Sequence, residues 1–296
     1  MRIAVTGKAG QVVTSLIERG AAAGHEVIAL GRPELDLADP ASVARALETA
    51  APDAIVSAAA YTAVDKAESE GDLAHAVNGA GAGAVAEAAR MLGVPLVHVS
   101  TDYVFDGTLD RPYVESDPTG PTSVYGASKL AGEQAVLAAH GGNSAVLRVA
   151  WVYSPFGANF VKTMLRLAGD RDEVSVVADQ LGNPTSATDI ADSIIRVATN
   201  MVSSSYPELR GVFHMTASGE ASWADFAEAI FAASAAQGGA SARVKRITSA
   251  DYPTPAKRPA NSRLDCSLIA KVHGVALPDW RQSLESVMAR LHAESA

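Results

Sequence analysis

The chain has 296 residues, of which 48% are hydrophobic and 19% are charged. This composition supports a large buried core and argues against a disordered chain. The formal net charge of −9 argues against a nucleic-acid backbone or an anionic membrane as the main partner. Because Cys266 is the single cysteine, an internal disulfide and a cysteine metal cluster are excluded, and we expect a reducing compartment, the cytoplasm.

The sequence carries no pattern typical of export or of membrane insertion. It begins with an apolar strand instead of the basic and apolar regions of a signal peptide. No apolar run reaches the roughly 20 residues that a membrane-spanning helix needs. We therefore expect neither a membrane nor a nucleic acid as a partner.

Strands and helices alternate along the first half of the chain. Apolar strands are predicted at residues 2–6, 26–30, 53–59, 95–100 and 145–153, and helices at 11–23, 41–50, 72–92 and 123–140. This alternation is typical of a parallel sheet with helices on both faces. We therefore predict an α/β fold, a Rossmann-type doubly wound parallel sheet that binds ligands at the carboxyl ends of its strands.

Beyond residue 153 the alternation is less regular. Helices are predicted at 159–167, 188–199 with Thr188 as the cap, 222–236 with Ser222 as the cap, 267–272 and 280–292, and strands at 174–178 and 212–215. We predict a dinucleotide-binding domain at residues 1–152, to which 186–213 return, and a smaller C-terminal α/β substrate lobe at 153–185 and 214–296. Strand 174–178 is a further candidate to join the first sheet.

A glycine turn joins the first strand to the first helix. Gly7 and Gly10 allow a tight turn and let backbone N–H groups approach a pyrophosphate at the helix N-terminus. Val13 stands where the usual motif has a third glycine. A plain turn would explain such a motif in isolation, but its place at the start of a βαβ pattern favours dinucleotide binding.

The end of the second strand bears on the choice of cofactor. An acid there usually holds the ribose 2′-OH of NAD, whereas an arginine accommodates a 2′-phosphate. Here no acid occurs before Glu34, and Arg32 and Lys8 are both available, so we predict NADPH with NADH as the alternative. Asp36 and the following Leu37 are candidates to contact the adenine, although Asp36 would also serve as a loop acid at the helix 41–50.

Two further features suggest chemistry at the strand ends. Tyr125 and Lys129 are four residues apart in a predicted helix and so project from one face. An ammonium beside a phenol favours the phenolate, so we expect a lowered pKa for Tyr125. The hydroxyl of Thr101, after the fourth strand, is placed to hydrogen-bond a carbonyl as negative charge develops. Each feature is common by chance, but together with the glycine turn they indicate a pyridine-nucleotide site.

Several segments resemble a known family. Residues 100–107 (STDYVFDG) and 125–133 (YGASKLAGE) resemble the extended short-chain dehydrogenase/reductases. Residues 58–68, 148–153, 159–165, 179–185 and 258–264 resemble the dTDP-4-dehydrorhamnose reductase family, and the similarity covers almost the whole chain. The resemblance implies reduction of the C4 ketone of dTDP-4-dehydro-6-deoxy-L-mannose to dTDP-L-rhamnose by NADPH or NADH.

The resemblance also implies roles for individual residues. Tyr125 would be the proton donor, Lys129 its activator and a ligand of the cofactor ribose, and Thr101 the partner of the carbonyl. Contacts to the cofactor are expected along the chain at Gly7, Gly10, Gln11, Val12, Asp36, Leu37, Ala60, Tyr61, Thr62 and Val99. Contacts to the sugar nucleotide are expected at Asp102 and Trp151.

The proline-rich stretch before residue 264 supplies two more candidates. Arg258 and Asn261 are predicted to bind substrate, with one or both of Arg258 and Arg263 on its diphosphate through charge-assisted hydrogen bonds. Side chains in such a loop more often bond water or local backbone.

Some family members are described as metal-linked dimers, held through glutamates on the first helix and near residues 184–185. The corresponding positions here are Thr14-Ser15 and Ala187-Thr188. We therefore expect no metal, and a monomer or weak homodimer instead of a metal-bridged dimer.

Two other functions agree with these patterns. One is the reduction of another nucleotide-linked 4-keto-deoxysugar. The other is a non-catalytic, NADP-binding regulatory role like that of the methionine adenosyltransferase β subunit. The intact set of Tyr125, Lys129 and Thr101 favours an enzyme.

Overall fold

The protein is described by a computed structural model that covers residues 1–295. Its strands follow one another along the chain as β1 Arg2–Thr6, β2 Glu26–Leu30, β3 Ala54–Ser57, β4 Leu96–Thr101, β5 Ser144–Val149, β6 Val152–Tyr153, β7 Glu173–Val177, β8 Leu181–Gly182, β9 Thr185–Ser186, β10 Gly211–His214, β11 Ala221–Ser222 and β12 Arg243–Ile247. The helices are α1 Gln11–Ala22, α2 Pro40–Ala50, α3 Val64–Ala67, α4 Gly71–His75, α5 Gly81–Leu92, α6 Val124–His140, α7 Phe160–Asp170, α8 Ala187–Ser203, α9 Trp223–Ala236, α10 Ser267–His273 and α11 Trp280–Ser295.

Six strands form one parallel sheet in the order β10-β5-β4-β3-β1-β2. The chain moves outward from β1 to β2 and then crosses back to β3 on the other side of β1. In such sheets the ligand binds outside the carboxyl ends of the strands, next to the point where the direction of winding reverses. The arrangement confirms the predicted Rossmann-type fold.

Helices cover both faces of the sheet because successive side chains of a buried strand point to opposite sides. On one face, Ile3 and Val5 of β1 pack in a core that includes Leu16 of α1 and Ile190 of α8. On the other face, Ala4 packs in a second core with α2, α5 and α6. Within the described residues, no helix is both long and apolar enough to cross a membrane.

The remaining strands form three small two-stranded sheets. The pairs are β6 with β9, β8 with β11, and β7 with β12. Strand β7 therefore does not join the large sheet, whereas β10 pairs with β5 at its edge. The division into two lobes stays a prediction.

Several predicted boundaries are wrong for local reasons. The cap of α8 is Ser186, whose hydroxyl accepts from the Thr188 N–H, and not Thr188 itself. The single helix predicted at 72–92 is divided by a π-helical turn at Ala76–Ala80. The strand predicted at 145–153 stops at Val149, because Trp151 takes a left-handed backbone conformation with φ of 47°. The prediction overlooked β12, because its sequence RVKRI is largely charged and half exposed.

Helix α6 lies unusually close to its neighbours. Its N-cap is Ser123, whose hydroxyl accepts from the Gly126 N–H. A Cβ atom built on Gly126 would lie 2.3 Å from the Tyr103 carbonyl oxygen, and one on Gly132 would lie 2.1 Å from the Asn78 carbonyl oxygen. Only glycine permits this approach, so these two positions set how closely α6 packs against the π-helical turn and the turn that follows β4.

We expect Gly132→Ala to destabilise the protein by about 1–3 kcal/mol, because the added methyl group must push α6 away from Asn78. Gly142→Ala is the matched control, since nothing lies within 4 Å of a Cβ there. Urea denaturation of both variants would measure the difference. Equal unfolding free energies for the two variants would contradict the close approach.

Candidate active site

A cleft of about 640 Å³ opens at the carboxyl edge of the large sheet. It brings together most of the residues predicted from the sequence, namely Gly7, Gly10, Gln11, Val12, Ala60, Thr62, Val99, Thr101, Asp102, Tyr125, Lys129 and Trp151. A second cavity, which shares Gly7 and Ala60 with the first, is lined by Arg32, Asp36, Leu37 and Tyr61. The two cavities form one groove along the strand ends, the shape that an extended dinucleotide requires.

The turn between β1 and α1 can hold a diphosphate. Gly7 has φ of +104°, which favours glycine, and a Cβ atom there would lie 3.1 Å from a methyl carbon of Val13. The first turn of α1 has neither a capping side chain nor an acidic residue. Its N–H groups are therefore available to an anion, and the positive end of the helix dipole favours one.

The end of the groove that is lined by Lys8 and Arg32 favours a cofactor with a 2′-phosphate. Lys8 donates to the carboxylate of Glu34 and to the backbone carbonyl of Arg32. The hydrogen bond from Lys8 holds the pKa of Glu34 below its usual value, so this first acid after β2 is already engaged. Among the described residues, the Arg32 side chain has no carboxylate partner, and it lines the cavity.

Tyr125 and Lys129 lie one turn apart on α6, as predicted. The Lys129 ammonium donates to the Val99 carbonyl oxygen over 2.7 Å, and the Tyr125 phenol lies beside the Thr101 hydroxyl. Tyr103 packs edge-on against the Tyr125 ring, with 5.6 Å between ring centroids. The Thr101 hydroxyl, the Tyr125 phenol and the Lys129 ammonium therefore meet at the end of β4.

The predicted direction of the Tyr125 pKa is wrong. Burial raises the pKa of Tyr125 to about 12, and the neighbouring Thr101 hydroxyl only partly offsets this. Burial also lowers the pKa of Lys129 to about 8. Tyr125 is thus protonated at neutral pH.

Asp102, which lines the cleft, has one carboxylate oxygen without a hydrogen-bond partner. Its Oδ1 atom accepts from the Thr101 hydroxyl over 2.9 Å, whereas Oδ2 is buried with no hydrogen-bond partner. Burial raises the pKa of this carboxyl to about 6, and the hydrogen bond from Thr101 only partly offsets this. A buried polar atom without a partner is expected where a ligand supplies one.

Aromatic rings form one wall of the cleft. Trp151 stacks on Trp223, with 3.6 Å between ring centroids and an interplanar angle of 6°. A Cβ atom on Gly182 would lie 2.4 Å from the Trp151 ring, so glycine leaves room for the indole. Sequence analysis overlooked Trp223, although it directly follows Ser222, the correctly predicted cap of α9.

Arg258 and Asn261 lie outside the residues that line the cleft. Arg258 makes a two-pronged ion pair with Asp65, at 2.6 and 2.9 Å. The Asn261 amide donates to the carbonyl oxygens of Leu109 and Arg111, each over 2.8 Å. These contacts fasten loops beside the cleft, and a role in binding substrate stays a prediction for both residues.

Asn78 is a contact that sequence analysis overlooked. Its side chain accepts from the Tyr61 N–H and donates to the Tyr61 carbonyl and the Ser128 hydroxyl. It thereby joins the loop after β3 to helix α6. No pattern marked it, because it lies within what reads as one continuous helix.

Metal binding has no clear place in the described part of the chain. Residues 1–295 contain no group of three or more His, Cys, Asp or Glu side chains that could hold a metal ion. The expectation of an enzyme without a metal stays a prediction.

We expect Asp102→Asn to stabilise the protein above pH 6. The folded pKa of Asp102 lies above its unfolded value of 3.8, so the wild type loses stability as pH rises from about 4 to about 6 and the buried carboxyl ionises. The variant avoids this loss, which amounts to about 3 kcal/mol at most for a shift of this size. Denaturation from pH 4 to 8 would measure it.

Asp117→Asn is the control for that experiment, since its partner Arg111 holds the pKa of Asp117 at about 2. Its effect has the opposite sign, because the variant loses a stabilising carboxylate at neutral pH. An Asp102→Asn variant no more stable than wild type at pH 8 would contradict a costly ionisation of Asp102.

Comparison with known proteins agrees with this geometry. A family model described as the RmlD substrate binding domain matches residues 1–293. The dTDP-4-dehydrorhamnose reductase of Sinorhizobium fredii is 54% identical over 294 residues, which is 99% of each chain. That of Burkholderia thailandensis is 48% identical over 290 residues, 96% of this chain and 97% of the relative.

A solved structure shares the fold over nearly its whole length. It is the dTDP-4-dehydrorhamnose reductase of Bacillus anthracis in complex with NADP, with a TM-score of 0.89 and 34% identity, covering 98% of this chain and 99% of that one. The similarity of sequence and fold confirms the resemblance found in the motifs. The chain belongs to the dTDP-4-dehydrorhamnose reductase family.

Proposed function

We propose that this protein uses NADPH to reduce the C4 ketone of dTDP-4-dehydro-6-deoxy-L-mannose to dTDP-L-rhamnose, the final step of dTDP-rhamnose biosynthesis. Relatives that match almost the whole chain bear the name of this reductase, and the Bacillus anthracis structure contains NADP. The observation that carries the proposal is the meeting of Thr101, Tyr125 and Lys129 where the dinucleotide groove reaches the aromatic wall.

Each polar group at this junction has a distinct task. Bound NADPH supplies the hydride that reaches C4 of the sugar. The Thr101 hydroxyl donates a hydrogen bond to the C4 oxygen as negative charge develops there. Tyr125 transfers its phenolic proton to the same oxygen, and the Lys129 ammonium stabilises the phenolate that remains. The raised pKa of Tyr125 keeps that proton in place until the oxygen becomes basic enough to take it.

The groove residues supply binding and orientation. We assign the diphosphate to the β1–α1 turn around Gly7 and Gly10, the adenosine 2′-phosphate to Arg32, and the adenine side to Asp36 and Leu37. Ala60, Tyr61, Thr62 and Val99 lie along the path between the two ends. Asp102, through its unpartnered Oδ2 atom, and Trp151 are assigned to the sugar nucleotide.

We further infer a cytoplasmic protein that works as a monomer or a weak homodimer. The support is the low cysteine content and the absence of glutamates at the positions where some relatives bind a bridging metal. Sedimentation of the pure protein with and without a chelator would test the second point, because a metal-bridged dimer would dissociate in the chelator.

Following NADPH oxidation with the 4-keto sugar nucleotide tests the function directly. Rapid oxidation with dTDP-4-dehydro-6-deoxy-L-mannose is the expected result. Turnover only with a different nucleotide-linked keto sugar would move the assignment to that sugar. Tight NADPH binding with no turnover of any keto sugar would support a regulatory subunit instead.

We expect Tyr125→Phe to lower kcat by about 10²–10⁴-fold, because the proton donor is lost while the ring remains. NADPH affinity, measured by quenching of tryptophan fluorescence, should stay within about twofold of wild type. Undiminished turnover in this variant would overturn the proton-donor role of Tyr125.

We expect Arg32→Ala to raise the KM for NADPH roughly tenfold, the loss expected for one charge-assisted hydrogen bond. The KM for NADH should stay unchanged, because NADH has no 2′-phosphate. Arg196→Ala, which removes an exposed arginine from α8, is the control. Equal effects of Arg32→Ala on both cofactors would argue against a 2′-phosphate contact.

A further inference from the structure

Trp151 has a backbone conformation that a bulky residue rarely adopts. Its φ of 47° lies in the left-handed region, where the Cβ atom of any residue other than glycine is crowded. Such strain persists only where the surrounding contacts hold the residue in place, and it concentrates at ligand-binding sites. Since Trp151 lines the cleft, the contacts that hold it bear on what the cleft binds.

Contacts from a distant segment fix both the backbone and the indole of Trp151. The Trp151 carbonyl oxygen accepts from the Thr185 N–H over 3.1 Å. Gly182 lies so close that a Cβ atom there would clash with the Trp151 ring. Trp223 stacks on the same ring, with 3.6 Å between ring centroids and an interplanar angle of 6°. The indole is therefore confined by a backbone segment and by a second indole.

Trp223 is itself held by several elements. It is the first residue of α9, where Ser222 and Asp225 form a capping box. The two residues before it pair with β8, the strand that contains Gly182. Phe160, at the start of α7, packs on the Trp223 ring with 4.7 Å between ring centroids. The position of Trp223 is thus set by a helix start, a strand pair and a second helix.

The two stacked indoles lie close to the groups assigned to the reaction. Thr101 pairs with Val149 between β4 and β5, two residues before Trp151. Thr101, Tyr125 and both indoles line the same cleft. Side chains that packing locks in one rotamer hold a ligand close to the geometry that a reaction needs. A ligand that reaches Thr101 therefore lies beside a surface that cannot turn away.

We propose that Trp223 is a positioning residue for the ketone reduction, whose stacked indole fixes Trp151 as the wall that orients the sugar nucleotide beside Thr101 and Tyr125. The inference rests on the proposed reductase function, since it assigns Trp223 a part in that reaction. Trp223 acts through Trp151. A ring that only filled space between α7 and α9 would affect the stability of the fold and leave the affinity for the sugar nucleotide unchanged.

NMR of the ligand-free protein, with its three tryptophans ring-labelled, tests the stack without any substrate. A ring stacked face to face shields the protons of its neighbour, so the Trp151 signals should lie upfield and should move downfield in Trp223→Leu. Trp280→Phe is the control, because Trp280 packs edge-on against Phe226 instead of stacking on an indole. Trp151 signals that are identical in wild type and in Trp223→Leu would overturn the proposal.

Steady-state kinetics test the positioning role. Trp223→Leu should raise the KM for dTDP-4-dehydro-6-deoxy-L-mannose about tenfold, the loss expected for one aromatic pair, while the KM for NADPH stays within about twofold. Trp223→Phe keeps a ring that can stack and should hold the KM for the sugar within about threefold of wild type. Phe226→Leu, which removes a buried ring from the same helix outside the cleft, should change neither KM.

A double-mutant cycle shows whether Trp223 acts through Trp151. Trp151→Leu should also raise the KM for the sugar, and Trp223→Leu should add little to it, because the two residues share one contact surface. Additive losses would overturn the positioning role. An equal rise of the KM for NADPH in Trp223→Leu would overturn it too, because that result indicates a general structural effect.

Gly182→Ala is a second test that leaves Trp223 intact and applies even if Trp223→Leu does not fold. The added methyl group must displace the Trp151 indole, so this variant should raise the KM for the sugar and leave that for NADPH unchanged. An unchanged KM for the sugar in either folded variant would overturn the proposal. No turnover of the sugar by the wild type would instead overturn the proposed reductase function, and this inference with it.

Discussion

Side chains of helix α6 contact strand β4 at every turn along their shared interface. The active site depends on this interface. Three residues of α6, each one turn apart, contact three consecutive residues of β4. The Tyr125 phenol lies beside Thr101, Lys129 donates to the Val99 carbonyl, and the Glu133 carboxylate accepts from the Ser100 hydroxyl. Gly126 and Gly132, which have no side chain, let the same helix lie close to the turn after β4 and to the π-helical turn. The positions of Tyr125, Lys129 and Thr101 relative to one another are therefore set by the packing of rigid elements.

This junction places ionisable groups where water is largely absent, and burial dominates their behaviour. It raises the pKa values of Tyr125 and Asp102 and lowers that of Lys129. From the sequence alone, a lysine one helical turn away suggests a lowered pKa for the tyrosine. The attraction of that charge can be inferred from the spacing, whereas the loss of solvent cannot. The observed direction keeps the proton on Tyr125 at neutral pH, as the proposed proton transfer requires. Burial of the Asp102 carboxyl lowers the stability of the fold at neutral pH, where this group ionises.

Different residues line the two ends of the groove, which runs along the edge of the large sheet. At one end Lys8 engages Glu34, which leaves Arg32 facing the cavity and favours a phosphorylated cofactor. At the other end the stacked indoles of Trp151 and Trp223 bound the space beside Thr101. Arg258 and Asn261 hold loops together beside this groove, contacts that a linear motif does not reveal. Their side chains find Asp65 and the carbonyls of a distant loop only after the chain has folded.

The sequence by itself determined the alternating α/β pattern, the glycine turn at Gly7 and the helix-spaced Tyr125 and Lys129, because these depend on local periodicity and backbone freedom. The resemblance of its motifs to those of known reductases indicated the family. Tertiary structure alone decided the π-helical turn that carries Asn78, the pairing of the charged strand β12 with β7, and the stacking of Trp223 on Trp151. It also decided that Glu133 meets Arg148 behind Lys129. Each of these depends on contacts between residues far apart in the chain, and burial, which sets the pKa values, exists only once those contacts have formed.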